Sequence, residues 1–310
     1  MHGLALLRLS THVVHQALFR AEIHVPKSLA KAEIVEIRGE DAVAFAHAQF
    51  CNDVLALSEL NWQIGAWLDA QGRARCVFVL LRVEANRLLA WLPMGSAATM
   101  AADLQRFVLR AKVKVSVAQG FHLVEDEPTQ IENGQVAESP DGWRFNLPGP
   151  APRSVRVARH VEPQTLDAGA LEAWRLANVM AGLPWLHESL ACQFTAQALG
   201  LDRLGAASLD KGCYPGQEIV ARLHFRGGNK RICVRVQGDC DTPPQPGDCV
   251  LEMEGGTVAG TILYAASCQP TGFLALAVLS NTDQTGAGLH LEGKPGASLT
   301  LQSLLDAGLP

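Results

Sequence analysis

Apolar positions change period several times along the chain, and each change marks an element. AEIVEIR, residues 32–38, alternates like a half-buried strand. Gly39 turns the chain, and Glu40 and Asp41 place negative charge where a helix dipole favours it. DAVAFAHAQF, residues 41–50, then reads as a helix that Asn52-Asp53 breaks. WQIGAWLD, ARCVFVLLRV and RLLAWLPM read as strands, with DAQGR and EAN as the turns between them. In GSAATMAADLQRFVLR, Met100, Leu104, Phe107 and Val108 fall at helical spacing, and AKVKVSV alternates again. Residues 125–152 are rich in Pro, Gly, Asp and Glu and read as a long surface loop or joint. RSVRVARH is a strand, and LDAGALEAWRLANVMAG is a helix that Gly182 and Pro184 stop. From about residue 230 the text becomes short strands, RICVRVQG, CVLEMEG, TVAGTILYAAS and GFLALAVL, with the turn spacing of a small antiparallel barrel.

This order is an α+β pattern. At 310 residues the chain is too long for one ordinary core. Three units are expected: residues 1–120, residues 121–229 and a C-terminal barrel over 230–310, with the first two exchanging segments. The net charge of −5 argues against a generic nucleic-acid or anionic-membrane coat, although residues 211–231 form a local basic patch. No direct nucleic-acid binding and no membrane partner are therefore expected. No apolar run is long enough to span a bilayer, and the N-terminus lacks the parts of a signal peptide, so a cytoplasmic protein is the expectation. None of the eight cysteines forms a C-x-x-C pair, and no metal site is expected. Cys233, Cys240 and Cys249 read as small apolar residues in strand text, and His2, His12, His15 and His24 as solvated.

The densest chemistry lies in DKGCYPGQEIVARLHFRGGNKR, residues 210–231. Thiolate is the reactive form of cysteine, and positive charge or a helix N-terminus favours it. Lys211 offers an ammonium near Cys213. Pro215 suits the first turn of a helix, Glu218 follows within that turn, and Ile219, Val220 and Leu223 give it an apolar face. Gly212 and Gly216 flank the cysteine, and Gly227-Gly228 end the helix. The pattern describes a shaped turn that presents a thiol. A buried structural cysteine with solvated basic neighbours is the plain alternative.

KGCYPGQE resembles the signature of the YgfZ-type folate-binding, or tRNA-modifying, proteins, relatives of the glycine-cleavage T-protein (aminomethyltransferase). GEDAVAFAHAQFCNDV, WLDAQGRARCVFVL, LQRFVLRAKVKV, AGLPW, FTAQ and AGTIL resemble further family segments in order, from about residue 32 to about residue 280. The resemblance implies an aminomethyltransferase-like three-part ring fold holding tetrahydrofolate near its centre. It implies a role in making or maintaining iron–sulfur enzymes, including those that thiolate tRNA, with those proteins or their assembly factors as partners. It gives Cys213 the greatest functional weight, with Lys211 beside it as a second catalytic candidate. Gly212, Tyr214, Gly216, Gln217, Glu218 and Arg222 carry over from the same motif. Asn52 and Asp53 fall where relatives line the folate cavity, and Trp185 is a candidate to stack on a pterin.

Some positions depart from the family pattern. Ala196 stands where a proline is frequent, which predicts a looser loop, and Asn178 stands where an acidic residue is frequent. The aminomethyltransferases use an aspartate in the hairpin that here reads Gly72-Arg73-Ala74-Arg75-Cys76-Val77, so no glycine-cleavage activity is expected. An aminomethyltransferase-like one-carbon transferase and a cysteine hydrolase pairing Cys213 with His224 are the alternative functions.

Overall fold

A computed structural model describes residues 27–149, 151, 153–159, 167–268, 272–280, 288–302 and 304. His2, His12, His15 and His24 lie outside the described residues. The chain begins with β1 (Lys27–Lys31) and β2 (Ile34–Arg38), then α1 (Ala42–Gln49). β3 (Asn61–Leu68), β4 (Ala74–Glu84) and β5 (Arg87–Trp91) follow, then α2 (Ala97–Gln105) and β6 (Lys114–Val117). An antiparallel sheet of order β3-β4-β5-β2-β6 results. Its central strands are buried on both faces, so β4 and β5 read as near-continuous apolar runs whose side chains point alternately into two cores. Val35, Ile37, Phe78, Leu80 and Leu88 meet the helices, where α1 and α2 bury Phe45, Ala46, Met100 and Leu104. Each large side chain so buried contributes about 2 kcal/mol. α2 stops at Gln105, and Phe107, expected on its apolar stripe, is 45% exposed.

The opposite face, with Ile34, Ile64, Val79 and Trp91, packs in one core with a second sheet. That sheet comprises β7 (Phe121–Asp126), β8 (Val136–Ser139), β9 (Gly142–Leu147) and β10 (Arg153–Arg159), with β1 at its edge, in the order β1-β7-β10-β9-β8. Residues 125–152 are therefore not a long loop. The expected joint contains the end of β7 and the β8–β9 hairpin. Its polar residues mislead because the sheet has one wet face: Val136, Phe145 and Leu147 supply the core, and the charges alternate outward. β1 joins this sheet across the chain from its own neighbours, pairing Lys27 with Glu125 and Lys31 with His122.

α3 (Ala168–Met180) starts at Asp167, whose carboxylate accepts from Ala170 N at 3.0 Å. It packs on β1 and on the barrel. After α3 come a 3-10 turn (Glu188–Leu190) and α4 (Gln217–Arg226). The barrel closes from β11 (Arg231–Gly238), β12 (Cys249–Glu252), β13 (Val258–Ser267), β14 (Phe273–Ser280), β15 (Leu289–Leu291) and β16 (Lys294–Gln302) in the order β11-β14-β13-β12-β15-β16. It docks through the carbonyls that the end of α3 leaves unpaired. Arg235 donates to Met180 O at 2.9 Å, and the Tyr264 hydroxyl donates to Leu183 O at 2.6 Å. Cys233 packs against the main core and Cys240 against the barrel core.

One charge fixes the second sheet. Asp126 is buried, accepts from Arg156 Nε at 3.0 Å, and lies 2.8 Å from Arg144 Nε, which is not aligned for a hydrogen bond. Removing the carboxylate unpairs the partly exposed Arg144 and leaves Arg156 with Asp141 alone. Asp126→Ala is expected to lower unfolding free energy by about 2 kcal/mol, read from the urea midpoint. A change under about 0.5 kcal/mol overturns this account.

Candidate functional site

The site forms where the end of α1 meets the turn before α4. An α-helix leaves its last four carbonyls without internal partners. Here the Lys211 side chain reaches in and donates to the carbonyls of His47, Phe50 and Asn52, the last two at 2.6 and 2.9 Å. Burial pulls the Lys211 ammonium down to about 8, against the opposing pull of Cys51 and Asp53. Its direction is set by these three carbonyls rather than by the neighbouring thiol. It also stands 5.1 Å over the Tyr214 ring, whose hydroxyl donates to Ser208 O at 2.9 Å.

The rest of the motif continues this frame. Gln217 donates from its amide to Lys211 O at 3.2 Å. Gly216 caps α4 in the left-handed region, at φ 80°, and so Pro215 lies ahead of the helix rather than in its first turn. The first turn instead holds Gln217 and Glu218. A Cβ on Gly216 would sit 2.5 Å from Asp69 O and 2.6 Å from Gly72 Cα, so only glycine lets the β3–β4 hairpin touch the motif. Gly72 answers with Ile219 on its other side. Gly212, Glu218 and Arg222 are exposed. Cys213 is exposed too, the only one of the eight cysteines in that class. Cys51 and Cys76 are buried, and burial pushes both thiols up to about 12.

Beside this frame lies a cleft of about 490 Å³. Asp53 and Gln63 line one side, Gln197 and the loop with Asp202, Ser208 and Asp210 the other, and Val220 and His224 of α4 complete it. The loop is stitched to the end of α1: Ser208 N donates to Cys51 O at 2.8 Å, and the Cys51 thiol donates to Ala206 O at 3.1 Å. Asp53 accepts from Leu55 N and Ala56 N at 3.1 and 3.2 Å, which holds the turn it begins. Gln197 donates to Val220 O at 2.8 Å, while its Oε1 is buried without a partner. Asn52 is fully buried and neither side-chain polar atom has a partner.

Thus Lys211, Asn52 and Asp53 meet, although some 160 residues separate them. Trp185 does not join them. It is buried against Trp91, ring centres 6.4 Å apart, in the core between the sheets. Trp62, Trp67 and Trp91 are core residues as well. Gln63, Asp202 and Ser208 went unread in the sequence. Residues 196–216 contain turns and no regular element, so no period marks which side chains face a cleft. Ala196 does not loosen its loop: its N–H donates to Gly72 O at 3.2 Å, a bond proline cannot make. Asn178 is buried and accepts from Arg153 at 3.0 Å; burial pulls that guanidinium down to about 10.

The chemistry of the alternatives is also placed. In the hairpin, Arg75 pairs with Asp103 at 3.4 Å and Cys76 lies 3.8 Å from the Met100 sulfur. The nearby Asp69 carboxylate accepts from Gln71 N and Arg73 N, at 2.9 and 2.8 Å. Cys213 precedes α4, whereas His224 sits in its last turn with its ring edge-on to Phe225. Among the described residues no hydrogen bond joins that thiol to that imidazole.

Comparison with known proteins follows the same lines. The chain is 28% identical over 312 residues to the tRNA-modifying protein YgfZ of Cronobacter sakazakii, covering 89% of this chain and 92% of that one. It is 27% identical to the YgfZ of Sodalis glossinidius, covering 91% and 93%, and 26% identical to that of Colwellia psychrerythraea, covering 82% and 84%. The fold matches a glycine cleavage system aminomethyltransferase T from Bartonella henselae with a TM-score of 0.67 at 15% identity, over 90% of this chain and 85% of that one. No family model matches. The resemblance to the YgfZ proteins therefore extends over most of the chain, on an aminomethyltransferase-like fold. Among the described residues no helix is long and apolar enough to cross a membrane.

Two outcomes follow from this geometry. Lys211→Met strips three carbonyls of their donor and is expected to cost about 3 kcal/mol of stability in urea titration; an unchanged midpoint contradicts the role given to the ammonium. Brief alkylation of the native protein with iodoacetamide, mapped by peptide mass spectrometry, is expected to label Cys213 first and leave Cys51 and Cys76 untouched. Equal labelling of all three rejects the arrangement.

Proposed function

We propose that this protein is a tetrahydrofolate-binding accessory factor that supports the assembly or maintenance of iron–sulfur enzymes, tRNA-thiolating ones among them, through Cys213. The observation that carries this reading is the division of labour in the motif. Lys211, Tyr214, Gly216 and Gln217 are engaged in holding the turn, and the Cys213 thiol is left exposed on it. A thiol so held is rigid at its base and open at its tip, which suits taking or holding sulfur or iron. The tRNA connection comes from what the relatives are called, and the folate connection from the family resemblance and the fold. The cytoplasm is where this reading puts the protein and its clients.

The cleft suits the pterin of tetrahydrofolate in size and in its acceptors; among the described residues its lining holds no lysine or arginine for the two tail carboxylates. Its volume of about 490 Å³ lies within the roughly 300–1,000 Å³ that small-molecule pockets take. Asp53, Asp202 and Asp210 offer acceptors to the N–H groups of a pterin, and Gln197 Oε1 is a buried acceptor that lacks a partner. Unpaired buried polar atoms call for a ligand or water. Asn52, directly before Asp53, holds a second unpaired amide. When bound, tetrahydrofolate supplies a secondary amine able to carry a one-carbon unit. The residues here bind and orient it; no free carboxylate of the Gly72–Val77 hairpin is available to move its proton, so aminomethyl transfer is not part of the reading.

Tryptophan fluorescence titration with tetrahydrofolate under reducing conditions tests the ligand. Wild type and Cys213→Ala are expected to bind equally, and Gln197→Ala about tenfold more weakly. Restoration of a tRNA-thiolating iron–sulfur enzyme in cells lacking the endogenous relative tests the thiol: wild type is expected to restore activity and Cys213→Ala not. Absence of binding by wild type sinks the folate assignment, and full rescue by Cys213→Ala sinks the role of the thiol.

A further inference from the structure

α4 has two chemically different sides. Val220 and His224 face the cleft with its three aspartates. Arg222, Phe225 and Arg226 are exposed, and Lys230 and Arg231 are exposed just beyond the helix. Residues 222–231 thus hold four cations, and the exposed Glu218, one turn before Arg222, is the one carboxylate of α4, in a chain whose net charge is −5. None of the four makes an ion pair among the described residues. The β3–β4 hairpin packs on the first turn of α4 through Gly72 and Ile219, at the opposite end of the helix from Phe225 and Arg226.

Solvated cations alone need no partner. Phe225 is different: 77% of it is exposed, within this basic stretch, with the His224 ring set edge-on 5.0 Å away. An apolar ring held open on a polar helix gains nothing from burial in the fold. We infer that this outer face, Arg222 to Arg231, binds single-stranded RNA: Phe225 stacks on a base and the cations meet the phosphates. Ring-and-cation surfaces of this kind are how proteins hold single strands without reading sequence. An anionic membrane fits less well, since Ile219, Val220 and Leu223 are at least partly buried and only Phe225 and, less so, Ile232 remain for insertion. An acidic protein matches the charge but leaves the ring unexplained. The aspartates of the cleft repel a polyanion, so the strand stays on the outer face. The whole-chain charge, which spoke against nucleic acid, averages over this segregation. The inference rests on the surface alone and not on the folate assignment.

Fluorescence anisotropy of the full chain with a labelled single-stranded RNA of about twelve nucleotides tests it. Binding is expected at about 50 mM salt, weakening steeply as salt rises. Phe225→Ala is expected to weaken it about tenfold with an unchanged salt slope, and Phe225→Tyr to keep it. Arg226→Gln is expected to reduce the slope by about 0.7, one phosphate contact. Both side chains are exposed, so circular dichroism and the tetrahydrofolate titration of the variants should match wild type, which separates failure here from failure of the folate reading. No binding at low salt, binding indifferent to Phe225→Ala, or equal binding of polyglutamate or of phosphatidylserine vesicles overturns the inference.

Discussion

The Lys211 ammonium, set on the carbonyls of His47, Phe50 and Asn52, holds the functional half of the molecule together. α1 ends there, with His47 in its last turn, Phe50 at its cap and Asn52 just beyond, and Phe50 and Asn52 are fully buried. Leaving such buried carbonyls unpaired costs free energy. The lysine that satisfies them belongs to the motif, so the turn carrying Cys213 cannot move without exposing the end of α1. Tyr214 and Gln217 fasten the same turn from the other side. The hairpin then closes on Gly216 at a distance no side chain permits. Motif, helix end and hairpin form one rigid body, and the cleft is the space left beside it.

That arrangement separates charge. Aspartates gather in the cleft on one side of α4, and cations gather on the other. Solvent and salt screen the two groups from each other, so each acts mainly on its own side. Net charge is silent about such a division. One ten-residue helix thus presents Val220 and His224 to an acidic cleft and basic side chains to solvent.

Much of the fold was legible because its signals are local. β2 to β6, α1 and α3 each carry their own period, and the barrel strands their own turns. The misreadings share a cause. Residues 136–147 looked like loop because a hairpin with one wet face is half polar, and Phe107 looked like core because helical spacing says nothing of where the helix stops. The site was legible as far as its motif: Cys213 and its flanking glycines are conspicuous in one dimension.

What the sequence determined by itself was chemistry at fixed positions: a thiol on a glycine-bounded turn, a basic and aromatic stretch after it, and a family signature that named the fold. What only the tertiary structure decided was direction. Lys211 turned from the thiol to a helix end far away in the chain, Trp185 turned into the core, and Gln197, Asp202 and Ser208 turned toward Asp53. The reason is physical. Side-chain type is encoded residue by residue, but unpaired carbonyls and buried cavities exist only after distant segments have packed, and they select which side chains must face them.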